Sequence, residues 1–412
     1  MKIMQGAVAT CLVLLTACSA AIDREGTPAG SSPTVNGSAA EKEAAPAVTL
    51  SPGPASSDPI PLSRRWKVVD NAPLIAAAGL TDVVATSPRD AWALGFENAA
   101  EDRDGEPVMV HWNGVRWSRF PLPRGIDATE LDARAPDDLW VIGGGRVAHW
   151  DGHMWSMRAP FGLAQDLLDV AADRDRTVLI GQDVAGSFVS VVEDHTYSLA
   201  MTDENSAFTA VDASGGHTWI VGEQPRPDCG GITPAISHNQ GGAQPGWRRM
   251  RVPDVPGGTL KHVVAVDPTD VWAVGDVLTG SVTTRYADGA CPTPLQDRAD
   301  LPSAPLVMHW DGREWTRMTL PPLRASLSAV TALGPDDVWV LGAELDRPWQ
   351  PVLLHFDGRQ WTLERTYKGR LEALAAVPGG KDIWAVGRPV EYTDYGRETI
   401  LRRDGRFAQP RP

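Results

Sequence analysis

The chain is poor in lysine, cysteine and tyrosine, and each scarcity excludes something. Six lysines stand among 38 basic residues, no Lys/Arg run occurs, and the formal charge is −14 over 412 residues. A nucleic-acid or anionic-membrane surface needs a basic patch, so neither is an expected partner. None of the four cysteines sits in a CxxC pair or beside paired histidines, which argues against a structural zinc site. No segment keeps a convincing 3.6-residue apolar period, so helices are not expected. The GxSxG, HExxH and glycine-rich phosphate-binding signatures are all missing. What remains is 42% hydrophobic, ample for a core, with sixteen tryptophans against five tyrosines. That excess of tryptophan calls for a structural cause.

The N-terminal "MKIMQGAVATCLVLLTAC" places Lys2 before an apolar run from about Ala7 to Leu15, too short for a membrane span, then small residues before Cys18. It resembles a bacterial lipoprotein signal peptide with its lipobox. The resemblance implies cleavage before Cys18, lipid on its thiol and new amine, and anchoring on the extracytoplasmic face of the cell membrane. Residues 19–63 are rich in Pro, Ser, Ala and Gly and carry no aromatic residue, which reads as a disordered tether spanning roughly 35 Å.

Self-similarity organises residues 64–412. "DAWALG" at Asp90 returns as "DLWVIG" at Asp138, "DVWAVG" at Asp270, "DVWVLG" at Asp337 and "DIWAVG" at Asp382, with weaker copies at His217 and Arg176. Each ends in glycine: Gly95, Gly143, Gly181, Gly222, Gly275, Gly342 and Gly387. The intervals suit propeller blades of roughly 40–50 residues. Around each motif lie short runs rich in β-branched and aromatic residues, separated by Pro-Asp, Asn-Gly and Asp-Gly turns, which predicts four antiparallel strands per repeat. One first-strand register is alanine in every repeat: Ala85, Ala133, Ala172, Ala213, Ala265, Ala332 and Ala376. Innermost strands converge on an axis, and larger residues there would overpack the neighbouring blade. The expectation is an all-β, seven-bladed β-propeller of four-stranded antiparallel blades. Either residues 64–70 or residues 406–410 could supply the strand that closes the ring.

The "DVWAVG…HWDGxxW" pattern resembles propeller lipoproteins of high-GC Gram-positive bacteria. More distantly it is similar to galactose-oxidase, kelch and photosystem-assembly-factor propellers. The resemblance implies blades and specifies no reaction.

Candidate sites come from what breaks the repeat. Loops between second and third strands are long in repeats one, four and five, and variable loops on a rigid scaffold are where binding usually lives. Cys229 and Cys291 fall in two such loops of adjacent repeats, and in an oxidising compartment they would pair as a disulfide. His111, His149, His309 and His355 share one register and read as a blade feature. Asp82, Glu130 and Asp169 begin three consecutive first strands, with His262 at the same register in repeat five. They would ring one channel mouth, either as a hydrated polar lining or as oxygen ligands for Ca²⁺. Tyr392, Tyr395, Arg397 and Glu398 crowd one loop, as a polar loop or as a sialidase-like site. Sialidase Asp-box turns have the form S-x-D-x-G-x-x-W; here D-G-x-x-W lacks the Ser/Thr and one residue, against a glycosidase reading. Paired tryptophans such as Trp310 and Trp315 flank the turn between third and fourth strands and read as packing between blades. The functional expectation is a membrane-anchored, non-enzymatic propeller binding a protein or glycan at the cell surface, without a required cofactor. The alternative is a secreted glycan-active hydrolase or lyase at the channel mouth.

Overall fold

The computed structural model describes residues 66–69, 72–100, 105–159, 166–174, 176–183, 186–193, 196–227, 231–241, 246–278, 303–364, 369–388 and 398–405. Seven four-stranded antiparallel sheets form the blades of a β-propeller, with no helix among the described residues. Their first strands are Gly79–Ser87, Glu130–Ala135, Asp166–Asp173, Ala207–Ser214, Gly258–Asp267, Ala325–Gly334 and Arg370–Ala376. These seven strands pack side by side around the ring, the first against the last. Ring closure is by the N-terminal segment: Trp66–Val68 pairs with Thr399–Arg403 as the outer strand of blade seven. The pairing leaves Trp66 enclosed. Trp66 is 3% exposed, meets Trp339 edge-on at 5.8 Å and donates its indole N–H to Glu364. Residues 406–410, the other candidate, lie outside the described residues, as do residues 1–65, which include the signal and the tether.

The "DVWAVG" strand is second in its blade, so both its faces meet neighbouring blades. Almost every residue in it is therefore buried, and it reads as a continuous apolar run rather than an alternating one. Its closing glycine has a steric cause. In six blades the first strand bulges opposite or beside that glycine, bringing a carbonyl against it. A Cβ on Gly275 would lie 2.1 Å from the Thr259 carbonyl oxygen, and one on Gly222 1.9 Å from that of Ala207. The first-strand alanines behave as overpacking requires. Ala85, Ala133, Ala265 and Ala332 each share an apolar cluster with the tryptophan of the preceding blade: Trp384, Trp92, Trp219 and Trp272.

Aspartate, tryptophan and histidine of each complete repeat form one unit. In blade five the Asp270 carboxylate accepts from the Trp272 indole at 3.0 Å and pairs with His309 Nε2 at 2.6 Å, while the two rings stack at 4.0 Å. Blades one, two and six repeat this as Asp90–Trp92–His111, Asp138–Trp140–His149 and Asp337–Trp339–His355. The four histidines are thus a blade feature. Blade seven substitutes Arg402, which binds Asp382 and lies over Trp384, and blade four substitutes His217 and His238 around Trp219. The paired hairpin aromatics receive the preceding blade's tryptophan. Trp219 meets Trp310 and Trp315 at 5.6 and 5.8 Å, and Trp384 meets Trp112 and Trp117 at 5.1 and 5.2 Å. Such contacts between blades account for the abundance of tryptophan.

Candidate functional site

All seven first strands line a central channel of about 380 Å³. Side chains alternate along a strand, so two registers two residues apart form successive rings facing it. The outer ring is Asp82, Glu130, Asp169, Ala210, His262, Ala329 and Ala373, which places all four expected channel residues in one cavity. The next ring adds Asp132, Asp212 and Thr331. Sequence reasoning missed these three. Their signal was available, because each immediately precedes the repeated alanine.

The four aspartates share one geometry. Each takes the N–H of its own successor on one oxygen and an N–H of the following blade's first strand on the other. Asp82 receives Leu131 N–H at 2.9 Å, and Asp132 receives Ala172 N–H at 2.7 Å. Asp169 receives Val211 N–H at 2.8 Å, and Asp212 receives Ala265 N–H at 2.7 Å. Blades one to five are thereby linked in series. Asp276 extends the series to blade six by accepting from Leu327 N–H at 3.0 Å, and Thr331 Oγ1 reaches blade seven by accepting from Ala376 N–H at 2.9 Å. Innermost strands of different blades have no sheet bonds to one another, so carboxylates supply the acceptors that buried N–H groups require.

Enclosure sets the protonation states. Desolvation raises Asp82 and Asp169 and outweighs their backbone donors. It raises Asp132 to about 6 and Asp212 to about 7. Glu130 is pushed up to about 10, first by desolvation and then by the charges of Asp82 and Asp169. It receives no backbone N–H, so as a neutral acid it donates to the Asp82 carboxylate. Desolvation lowers His262 to about 4, leaving the imidazole uncharged, and its Nδ1 has no hydrogen-bond partner. Lys261 turns its ammonium away to Asp276 and Ser326. The channel is therefore a set of blade-linking carboxylates around one acid, Glu130, that makes no link between blades through the backbone and is bonded to Asp82 instead. Among the described residues no three His, Cys, Asp or Glu side chains are arranged to hold a metal ion, so the Ca²⁺ expectation gains no geometric support.

The other expected sites fall elsewhere. Cys18, Cys229, Cys291, Tyr392, Tyr395 and Arg397 lie outside the described residues. Glu398 is described, half-buried just before the Thr399–Arg403 strand and away from the channel lining. No helix of the described residues is long and apolar enough to cross a membrane.

No protein-family model matches the chain. No curated protein matches it either. Among solved structures, 558 chains match. One is the crystal structure of the WD40 β-propeller domain of Doa1, at 10% identity and a TM-score of 0.50, covering 81% of this chain and 94% of that one. At that identity the likeness establishes the propeller fold and no activity.

Proposed function

We propose that this chain is a non-enzymatic binding propeller, carried on the extracytoplasmic face of the cell membrane by lipid at Cys18 and engaging a protein or a glycan. The observation that carries the non-enzymatic reading is the use of the channel carboxylates. Asp82, Asp132, Asp169 and Asp212 each accept a backbone N–H on both oxygens, one of them from the following blade, which assigns these carboxylates to holding the blades together. The anchor rests on the signal sequence, the small residues before Cys18 and the Pro/Ser/Ala/Gly-rich segment that follows. The absence of a basic run argues against nucleic acid as the partner.

A glycan hydrolase or lyase is the second reading, and one observation favours it. Glu130 is a protonated acid beside the Asp82 carboxylate, the pairing a general acid needs. The experiment is cross-linking and pull-down from intact cells, with Cys18→Ala as the released control, alongside a glycan-cleavage panel with the purified full chain. A discrete cross-linked partner lost from the membrane fraction in Cys18→Ala supports the proposal. Glycan cleavage abolished by Glu130→Gln, with only bulk envelope proteins recovered, overturns it.

A further inference from the structure

Blade three is the one blade in which the Asp–His–Trp unit is lost at every position. Arg176 stands where five other blades place aspartate, Val178 in the tryptophan register and Val191 in the histidine register. Blade four removes one of the two receiving aromatics and keeps the other, Trp247, at the register of Trp117. Asn239 occupies the position of Trp112, Trp150, Trp310 and Phe356 and is followed by Gln240 and Gly241. Elsewhere a tryptophan of one blade fills the space against the hairpin of the next. Between blades three and four the indole of the donor strand is missing; of the receiving pair only Trp247 is left, packed on the Val178 cluster, and a cavity of about 320 Å³ remains beside the turns. Its apolar lining is Val178 and Ala213; its polar lining is Asp173, Arg174, Arg176, Thr218 and Gln240, two cations to one anion. It opens among the short turns, away from the outer ring of the channel.

The charges at this cavity are the reverse of those in the complete blades. A Cβ placed on Gly216 would come within 3.5 Å of Arg174 Nη1, and one on Gly241 within 3.8 Å of Arg176 Nη1 and 2.5 Å of the Gly216 carbonyl. Both guanidiniums therefore lie against one floor of abutting glycines. Arg176 pairs with Glu193, which is 59% exposed, so the pair is screened and readily exchanged. Asp173 already accepts the Gly216 N–H. The Arg174 side chain is exposed and makes no hydrogen bond or ion pair among the described residues, although its backbone sits at φ +53°, a conformation costly for a non-glycine residue. In a protein of net charge −14, these features together make a small basic slot with an apolar wall.

We infer that this slot is a binding site for a small arylcarboxylate: a flat apolar body in place of the missing indole, with its acid head between Arg174 and Arg176. The complete blades hold an indole against a carboxylate. Here the protein supplies guanidinium, so the ligand supplies the carboxylate, and bidentate contact with Arg suits it. This site is independent of the channel and of any partner on the long-loop face.

The test is calorimetric titration of the purified full chain with 3-(indol-3-yl)propionate, with 3-phenylpropan-1-ol and inorganic phosphate as controls. Saturable binding of the acid and none of the alcohol is expected. Arg174→Ala removes an exposed side chain without partners and leaves folding intact; it should weaken binding by roughly 10- to 100-fold, the worth of a charged hydrogen bond. Val178→Trp restores the repeat's tryptophan and should abolish binding, with a thermal midpoint at or above that of the parent. Absence of saturable binding, equal binding of the alcohol or phosphate, or full affinity in Val178→Trp would each overturn the assignment.

Discussion

Replacing Asp212 by asparagine tests the channel most directly, because two opposed effects meet at that residue. The carboxylate accepts Ala213 N–H and Ala265 N–H, each at 2.7 Å. Asparagine keeps one accepting oxygen, so one enclosed N–H loses its partner, at about 1–3 kcal/mol. Against this stands desolvation, which raises the folded-state pKa to about 7 from an unfolded value near that of free aspartate. At about 1.4 kcal/mol per pH unit, ionising Asp212 inside the channel costs about 4 kcal/mol at face value, and access of channel water reduces that to about 2. The sign follows from linkage. A carboxyl whose folded pKa is raised binds its proton more tightly in the folded state, so its contribution is full below the unfolded value and is lost as pH rises through 7. Asp212→Asn should therefore lower stability by about 1–2 kcal/mol at pH 5 and by much less, or not at all, at pH 8. Urea unfolding of parent and variant at both values measures this, and the difference removes most of the titration shared with Asp132 and Asp173. A penalty that grows from pH 5 to pH 8 would show that backbone donors, not desolvation, govern the channel, and would refute the reasoning.

The opposite pH dependence is expected at Asp138. Desolvation is its largest influence, but His149 and Arg134 together overcome it and lower the carboxyl to about 2. Its contribution is thus present above the ordinary aspartate range and lost as pH falls toward 2; Asp138→Asn should cost about 1–2 kcal/mol at pH 6 and little at pH 2.5, read from thermal midpoints. Gly275→Ala should destabilise by more than about 3 kcal/mol, because the Cβ would meet backbone rather than a movable side chain; a loss below about 1 kcal/mol in denaturant titration would remove close approach as the reason for the repeated glycine. Trp66→Ala should cost about 3–5 kcal/mol and expose the N-terminal strand to limited proteolysis, whereas parent-like resistance would mean that blade seven closes without it.

How much of this was legible in the sequence depends on whether a constraint recurs in every blade. The glycine, the tryptophan and the small first-strand residue answer to sterics that each blade meets anew, so they form columns, and the columns alone led to seven blades. Asp82, Glu130, Asp169 and His262 were legible for a different reason: polar residues start a strand whose other copies begin with alanine. Asp132 and Asp212 escaped notice because their register also holds Val84, Ala171, Val264, Thr331 and Ala375, and no column forms. Only the distance to the next blade's N–H shows what unites them. Ring closure was illegible because two terminal segments carried similar strand patterns, and only the pairing of Trp66–Val68 with the third strand of blade seven shows which one closes it. The weak copy "RTVLIG" shows the limit of pattern matching most sharply. As a pattern it is a degraded repeat, yet Val178 and Arg176 replace a filled, carboxylate-bound aromatic contact by an open, guanidinium-lined one. In a propeller, departure from a column is informative when it leaves volume or charge unsatisfied. By that criterion Arg174 and Arg176 are a stronger guide to ligand chemistry than the four channel aspartates, which hold backbone N–H groups of the following blade.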